Sequence, residues 1–482
     1  MYSFLVAVST LLVGTACSPI FPYQVWNDAN CFFTVGREVL KGTVLYRDIF
    51  EQKGLYLYFI YGIANLFSKT SFFGVYILEC IAFSVTLYFV AKISSYFLRE
   101  KYIYWVVLAF AVLTVLSSSF EKGGSAEEFC LPVFMIFLCH GLEYLCGLGT
   151  GIRKSKFLAD GILLAVVFWI KYNLVFLCAG VILGTALSFW FGKKKKELRQ
   201  YLMFGFAGML IGTVPLAAYF TYYGAWGDLW FGYFYSNLFL YHESGIWYEK
   251  LRKIIEFFLD YFKKNSIIAM LVILGLVRFS YRVRKTWKKR TLFLSWGMVM
   301  FLIGSILIPQ TVYAYYPLPA VVFLVFGLIE LARCPFMALA GRVKPWVIGV
   351  ATAVCVVLVL YGSNVYFLLP FSKEDIPQQQ FAEIIQKEKD ATVLNYACLD
   401  TGIYTLAGID PPSRFFCRLN LKGYDEMFRE QDAIVAQQKV DFIVTVTTSS
   451  YPEYYEGYRE VSCLFMQENG PNHFHLLKKI KK

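Results

Sequence analysis

The sequence is short of charge. Asp, Glu, Lys and Arg make up 17% of its residues, against about a quarter in an ordinary soluble domain. Such a deficit argues against a solvated globule. Histidine is scarcer still, with four in 482 residues, and the twelve cysteines form no Cys-x-x-Cys pair and no zinc-type spacing. The pattern therefore indicates no metal site and no disulfide framework. No internal repeat is found, and the lysine run at 193–196 is the only low-complexity tract. No basic segment precedes the first apolar run, and "GTAC" at 14–17 matches a lipobox poorly. Residues 2–20 thus read as a retained helix and not as a cleaved signal.

What the sequence has is apolar surface. Hydrophobic residues make up 58% of the chain and aromatic ones 19%, and the mean hydropathy is +0.53. Apolar runs long enough to cross a bilayer recur through the first three-quarters. Eleven spans fit, centred near residues 11, 84, 111, 137, 164, 183, 212, 272, 300, 325 and 357. The net charge of +12 sits in short connecting loops. Segments 97–102, 148–156, 193–200, 278–290 and 333–345 together hold 20 Lys and Arg and two acids in 49 residues. Lys and Arg resist translocation, so these loops are expected on the cytoplasmic side. With the N-terminus inside, alternation places all five there and the chain's end outside. The positive charge is then a topology signal, and no nucleic-acid partner is implied. The tightest connection is "WIKYN" at 169–173, an external turn between the fifth and sixth spans.

The expected fold class is an α-helical polytopic membrane protein with a small C-terminal α/β extracytoplasmic domain. The boundary is set at residue 370, giving a membrane module 1–370 and an outer domain 371–482. The outer domain carries 13 Lys and Arg against 16 Asp and Glu. Its β-like runs, "ATVLNYA" (391–397) and "VDFIVTVTT" (440–448), each follow a helical pattern. Most cysteines fall within spans, where they act as small apolar residues. Cys398, Cys417 and Cys463 lie in the outer domain, an odd number. His242, His473 and His475 lack ligand-spaced partners; the last two share one face of a strand and read as ordinary structure.

The first outer loop concentrates the chemistry. Residues 27–42, "NDANCFFTVGREVLKG", read as an amphipathic helix capped by Asn27 or Asp28 and ended by Gly42. Ala29, Phe32, Phe33, Val39 and Leu40 form its apolar face, with Arg37, Glu38 and Lys41 opposite. "LYLYFIYGIANLF" (55–67) is too short to span and reads as a second interfacial helix. Between them "YRDIFEQKG" (46–54) packs Arg47, Asp48, Glu51 and Lys53. At headgroup level, such bases suit a lipid phosphate and an acid suits proton chemistry. Elsewhere, Glu127 and Glu128 are adjacent acids where a span begins, a costly location unless solvated or used. A substrate-orienting carboxylate and a solvated helix start are the two readings there, and Glu121 and Lys122 read as a solvated turn. Tyr313, Tyr315 and Tyr316 suit either an aromatic belt or a lipid or sugar surface.

The stretch from "DANCFFTVGREVLKG" through "YRDIFEQKGLYLY" resembles the first external loop of bacterial glycosyltransferases related to protein O-mannosyltransferases and aminoarabinose transferases, integral-membrane enzymes of the GT-C fold. "GGSAEEFCLPVFM" (123–135), "YAYYPLPAVVF" (313–323) and "LAGIDPPSRFF" (406–416) fit the same family in order and sidedness. The resemblance implies sugar transfer from a polyprenyl-phosphate donor on the outer face of the plasma membrane, in a bacterial setting. The family's catalytic acid matches Asp28, and its acid-then-lysine pair matches Glu51 and Lys53. The chain departs from the family in having Gly54-Leu55 where a proline pair is usual, and Gln52 between acid and lysine.

Such chemistry needs a carboxylate to accept the acceptor hydroxyl's proton and fixed cations for the departing phosphate. Asp28 is the expected base. Arg47, Asp48, Glu51, Lys53, Glu127, Glu128, Tyr315 and Tyr316 are the expected contacts to donor phosphate or sugar. A single in-line displacement inverts the anomeric centre. No cofactor is expected. The partners are the polyprenyl-phosphate sugar, a lipid, glycan or protein acceptor, and membrane lipids. Each residue also has a plainer reading: Asp28 caps its helix, Arg47 and Asp48 pair locally, Lys53 reaches headgroups. Two rival functions are a lipid or glycan flippase and a non-catalytic envelope assembly protein. A flippase calls for ionisable or helix-breaking residues at mid-bilayer depth.

Overall fold

The computed structural model describes residues 1–149, 153–240, 247–286, 296–297, 299–301, 303–304, 313–334, 345–421, 423–450, 454–467 and 471–480. Long apolar runs become helices because a helix satisfies its own main-chain polar groups where water is absent. The helices are α1 (Tyr2–Gly14), α2 (Asn27–Leu40), α3 (Leu55–Phe67), α4 (Phe73–Ser95), α5 (Glu100–Val115) and α6 (Ala126–Cys146). They continue with α7 (Lys154–Ile170), α8 (Val175–Phe191), α9 (Lys195–Tyr222), α10 (Trp226–Leu229), α11 (Trp247–Lys264) and α12 (Ser266–Thr286). The last are α13 (Leu324–Ala332), α14 (Pro345–Gly362), α15 (Pro377–Ile385), α16 (Ile403–Ala407) and α17 (Asp425–Ala436). Every expected span centre except that near 300 falls inside one of these helices. The stretch around 300 lies largely outside the described residues, as does His242.

Among the described residues, four helices are long and apolar enough to cross a membrane: Phe73–Ser95, Ala126–Cys146, Tyr172–Phe191 and Lys195–Tyr222. Shorter apolar helices include Tyr2–Gly14, Leu318–Ala332 and Trp346–Gly362. Leu202, Phe206, Leu210 and Val214 on α9 are each more than half exposed. So large an apolar face is at home only against lipid. The chain is a polytopic membrane protein.

Two compact units divide it. One comprises 1–15, 78–218 and 244–366; the other comprises 16–77, 219–243 and 367–482. In the first, α1 packs on α5 and α14, α6 on α7 and α8, and α12 on α13. Helices α7 and α9 meet at glycines: a Cβ added to Gly208 would lie 3.0 Å from the Gly161 Cα. Small residues at such a crossing let helix backbones touch where lipid offers no hydrophobic drive to pack. Several ionisable groups inside the unit are paired. His140 Nδ1 lies 2.6 Å from Asp160 Oδ1, Tyr144 donates to Asp160 Oδ2 at 2.9 Å, and Arg282 donates to Glu330 at 2.7 Å.

The second unit contains the four-stranded sheet. Its strands are β1 (Val393–Asn395), β2 (Phe442–Thr447), β3 (Tyr458–Gln467) and β4 (Pro471–Lys479), in the order β1-β2-β4-β3. β1 and β2 are parallel, joined by a connection that carries α17, and both lie inside the expected β-like runs. The other two strands pair antiparallel, β4 with β2 and β3 with β4. Leu394, Ile434, Val435, Val440, Ile443, Tyr458 and Leu477 form a core between sheet and α17.

Helices α2 and α3 match the two expected helices of the first loop, and they touch backbone to backbone. A Cβ on Gly36 would come within 2.7 Å of Gly62 N and Tyr58 O. Gly42, at φ +99°, ends α2 in a left-handed turn, as expected. Two expectations fail here. The residue before the helix that acts as cap is Trp26, with no side-chain cap bond, so Asn27 and Asp28 begin the helix proper. The supposed polar face is also covered. Arg37 and Glu38 are buried; Arg37 donates to Glu38 at 2.9 Å, to Tyr404 O at 3.0 Å and to Ile409 O at 2.6 Å. Helix periodicity reports which residues share a face, but chain 370 residues further on supplies the carbonyls that cover it.

Candidate active site

The stretch 46–54 folds as a tight, mostly buried loop. Tyr46 sits at φ +68°, a left-handed conformation unfavourable for an aromatic residue. It is held by several bonds: its N–H to Ile49 O at 2.8 Å, its hydroxyl to Lys53 O at 2.6 Å, and Arg414 Nε to its carbonyl at 3.0 Å. Phe50 N–H donates back to Arg414 O at 3.0 Å, and the Arg414 guanidinium lies over the Phe50 ring. Arg414 braces this loop. A π-helical stretch, Trp230–Leu240, also packs here: Asn237 donates to Gln52 O at 2.8 Å. A Cβ on Gly232 would strike the Tyr46 side chain.

The loop divides its four charges into two pairs. Arg47 and Asp48 form a half-exposed pair, Nε to Oδ1 at 3.1 Å, with Arg47 also donating to Tyr223 O at 3.1 Å. Asp48 accepts from Val44 N at 3.1 Å, and these bonds, chiefly Arg47's, offset burial and hold its carboxyl below the usual range. Glu51 and Lys53 turn inward. The Glu51 carboxylate is buried and accepts from Lys53 N at 2.9 Å and from the Tyr58 hydroxyl. Lys53 Nζ lies 3.6 Å from Glu51 and 5.3 Å from the centre of the Phe32 ring. Asp28 stands one helical turn before Phe32 on the same face of α2 and is partly exposed. Phe32 therefore connects the expected base, along the helix, with the expected phosphate cation.

In the other unit, Glu127 and Glu128 open α6. Ser125 caps the helix by accepting from Glu128 N at 3.0 Å, and Glu128 Oε2 accepts from Gly124 N at 2.9 Å. Reciprocal bonds of this kind explain an acid at the third position of a helix. Both carboxylates are buried, and among the described residues Glu127 Oε2 and Glu128 Oε1 have no hydrogen-bond partner. Glu127 Oε1 receives Lys171 Nζ at 2.5 Å. The ammonium also lies 4.1 Å from the centre of the Tyr316 ring and 5.2 Å from that of Tyr315. Lys171, Glu127, Tyr315 and Tyr316 thus form one cluster.

Lys171 ends α7 in extended conformation before a 3-10 turn, Tyr172–Leu174, so the expected tight turn is present. Its lysine went unassigned, although a lone base between two apolar runs was a legible signal. Tyr58 also escaped notice, hidden among the tyrosines of α3. The turn at 121–122 is not solvated as expected: Lys122 is buried and its carbonyl accepts from Thr15 Oγ1 at 3.2 Å. A separate cavity of about 450 Å³ in the sheet-bearing unit is lined by Cys17, Tyr23, Gln24, Thr70, Lys373 and Gln386 among others; none of the expected site residues lines it.

No protein-family model matches the chain, and no curated protein sequence matches it significantly. Solved structures do. The chain is similar to ArnT from Cupriavidus metallidurans in the apo state, at 11% identity and a TM-score of 0.60, covering 98% of this chain and 96% of that one. The same ArnT bound to undecaprenyl phosphate matches with the same score over 97% of its length. An Archaeoglobus fulgidus oligosaccharyltransferase, solved with Zn and sulfate, matches at 12% identity and a TM-score of 0.54, over 92% of this chain and 67% of its own. Similarity across nearly the whole chain shows the fold. This is a GT-C fold, the one implied by the loop resemblance.

Proposed function

We propose that the chain is a glycosyltransferase that moves a sugar from a polyprenyl-phosphate carrier to a cell-envelope acceptor on the outer face of the plasma membrane, with inversion. The observation that carries this reading is the fold similarity over 98% of the chain to a transferase, one of whose structures holds undecaprenyl phosphate. Fold alone does not specify chemistry, and the loop supplies the second support. An acid, Asp28, shares a helix face with an aromatic ring, Phe32, on which a lysine rests beside a buried carboxylate.

In the proposed reaction the acceptor oxygen bonds to the anomeric carbon as the carbon–oxygen bond to phosphate breaks. Asp28 takes the acceptor's proton, and the electron pair departs with the polyprenyl phosphate. Lys53 and Arg47 stabilise the charge gathering on that leaving group. Glu51 fixes the Lys53 ammonium, and Asp48 fixes Arg47. Within the other unit, Glu127 and Glu128 each have a buried carboxylate oxygen with no partner among the described residues. They are a separate candidate set for sugar or acceptor hydroxyls, and Tyr315 and Tyr316 hold the Lys171 ammonium beside Glu127.

Few charged residues lie at the centres of the expected spans, which favours this reading over a flippase. His140 and Asp160 bind each other, and both are buried. Purified protein incubated with a panel of radiolabelled polyprenyl-phosphate sugars and membrane extract is expected to transfer one label. Folded protein that transfers none would overturn the proposal in favour of transport or scaffolding.

A further inference from the structure

The strands β3 and β4 gather three metal-ligating side chains that sequence spacing does not reveal. In the register, Cys463 lies opposite His475 and Glu460 opposite Leu477, with an irregularity between Glu460 and Ser462. Residues three apart on a regular strand point to opposite faces. The bulge adds one residue at Val461, so Glu460 and Cys463 both face the side on which His475 stands. Bulges re-aim side chains in this way and occur beside functional sites.

The resulting cluster is tight. Ligand atoms of Glu460, Cys463 and His475 all lie within 4.8 Å of one another. His475 is fully buried, and the other two are partly exposed. Its ring nitrogens have distinct surroundings. Nε2 is 2.9 Å from Thr447 Oγ1 and 3.2 Å from Ser449 O. The threonine hydroxyl donates its hydrogen to Ser449 O at 2.8 Å, so both neighbours accept from Nε2, which must carry the proton. In the neutral tautomer the other nitrogen, Nδ1, is a lone pair, and it faces Glu460 Oε2 at 2.8 Å. A lone pair and a carboxylate at that distance repel unless a cation lies between them. A proton can fill that role, giving an imidazolium–carboxylate pair, and so can a metal ion.

The third group decides between them. Proton sharing needs only His475 and Glu460, whereas Cys463 adds a soft donor on the same side. Thiolate, imidazole and carboxylate together select zinc over calcium or magnesium. Donor atoms around a tetrahedral zinc are about 3.5 Å apart, which small rotamer shifts reach from the present positions. A metal-bound histidine also characteristically donates its other N–H to a carbonyl or carboxylate, as Nε2 does to Ser449 O.

We propose that Glu460, Cys463 and His475 form a zinc-class divalent-metal site that fastens the edge strand β3 to β4. The site uses none of the proposed transferase residues and does not depend on that reading.

The test uses full-length protein in detergent with a thiol reductant, stripped with chelator and dialysed against zinc or cobalt chloride. The expected result is one metal retained per chain and, with cobalt, a thiolate-to-metal charge-transfer band. Cys463→Ser should abolish the band and the retained metal, Glu460→Gln should weaken affinity at least tenfold, and Cys334→Ser should change neither. Zinc should also slow alkylation of Cys463 in the wild-type chain, read by peptide mass spectrometry, which requires no variant to fold. Wild-type protein that retains no stoichiometric metal, or Cys463 alkylated equally fast with and without zinc, would overturn the site and leave the proton-bridged pair. A cobalt band that survives Cys463→Ser would overturn it too.

Discussion

Lys171 and Glu127 are each buried, and each has the other as its charged partner at 2.5 Å. Removing one member of a buried pair leaves the other desolvated, at a cost of about 3–5 kcal/mol, while removing both costs much less. Lys171→Met should therefore lower the melting temperature in detergent more than the double variant Lys171→Met/Glu127→Gln; equal losses would argue that the pair contributes nothing as a pair. Asp400 makes a second case. It is buried, accepting from Thr34 Oγ1 at 2.6 Å and Gly402 N at 2.8 Å, and burial pushes its carboxyl up to about 6. Because the folded value lies above the ordinary one, this group's stabilising contribution is complete below about pH 4. It is lost as pH rises through about 6. Asp400→Asn should therefore gain stability relative to wild type as pH goes from 4 to 7, measured as the difference between two melting series. A constant difference would contradict the assignment. Glu127 was singled out from the sequence, but Lys171 and Asp400 were not. A buried acid looks like any other acid until the chain that surrounds it is known.

At the scale of elements, periodicity and turn chemistry carried well where structure is local. The limits of α2 and α3, the glycine that ends α2, and the strands β1 and β2 with a helix before each were all legible, because each depends on a few consecutive residues. Burial of Arg37 and Glu38 was not, since Tyr404 and Ile409 cover them from far along the chain. Nor was the bulge at Val461, which is a property of pairing and not of one strand. The close contact of α2 with α3 gives a direct test. Gly36→Val places side-chain atoms against the Gly62 and Tyr58 backbone, where overpacking costs about 1–3 kcal/mol. The variant should be cleaved faster by protease between residues 41 and 54 than wild type. Unchanged cleavage would mean that the helices can separate freely.

For the molecule as a whole, apolar length and the sorting of basic loops made the polytopic class legible without any motif. The fold itself came from a loop resemblance and was met by similarity over 98% of the chain. Orientation rests on charge, and it is open to measurement: an alkaline phosphatase fusion at the C-terminus should be active in a bacterial host, and a fluorescent protein fusion there should stay dark. The reverse pattern would invert the topology and put the acids on the wrong side for a lipid-carried sugar.

The central claim is that Asp28 accepts the acceptor's proton beside a phosphate-binding cation. Initial rates of label transfer from the active polyprenyl-phosphate sugar, compared for wild type and Asp28→Asn at matched folding, test it most directly. The account predicts a loss of about 100-fold or more for the variant, with the donor still bound. A variant that transfers sugar at the wild-type rate would contradict it.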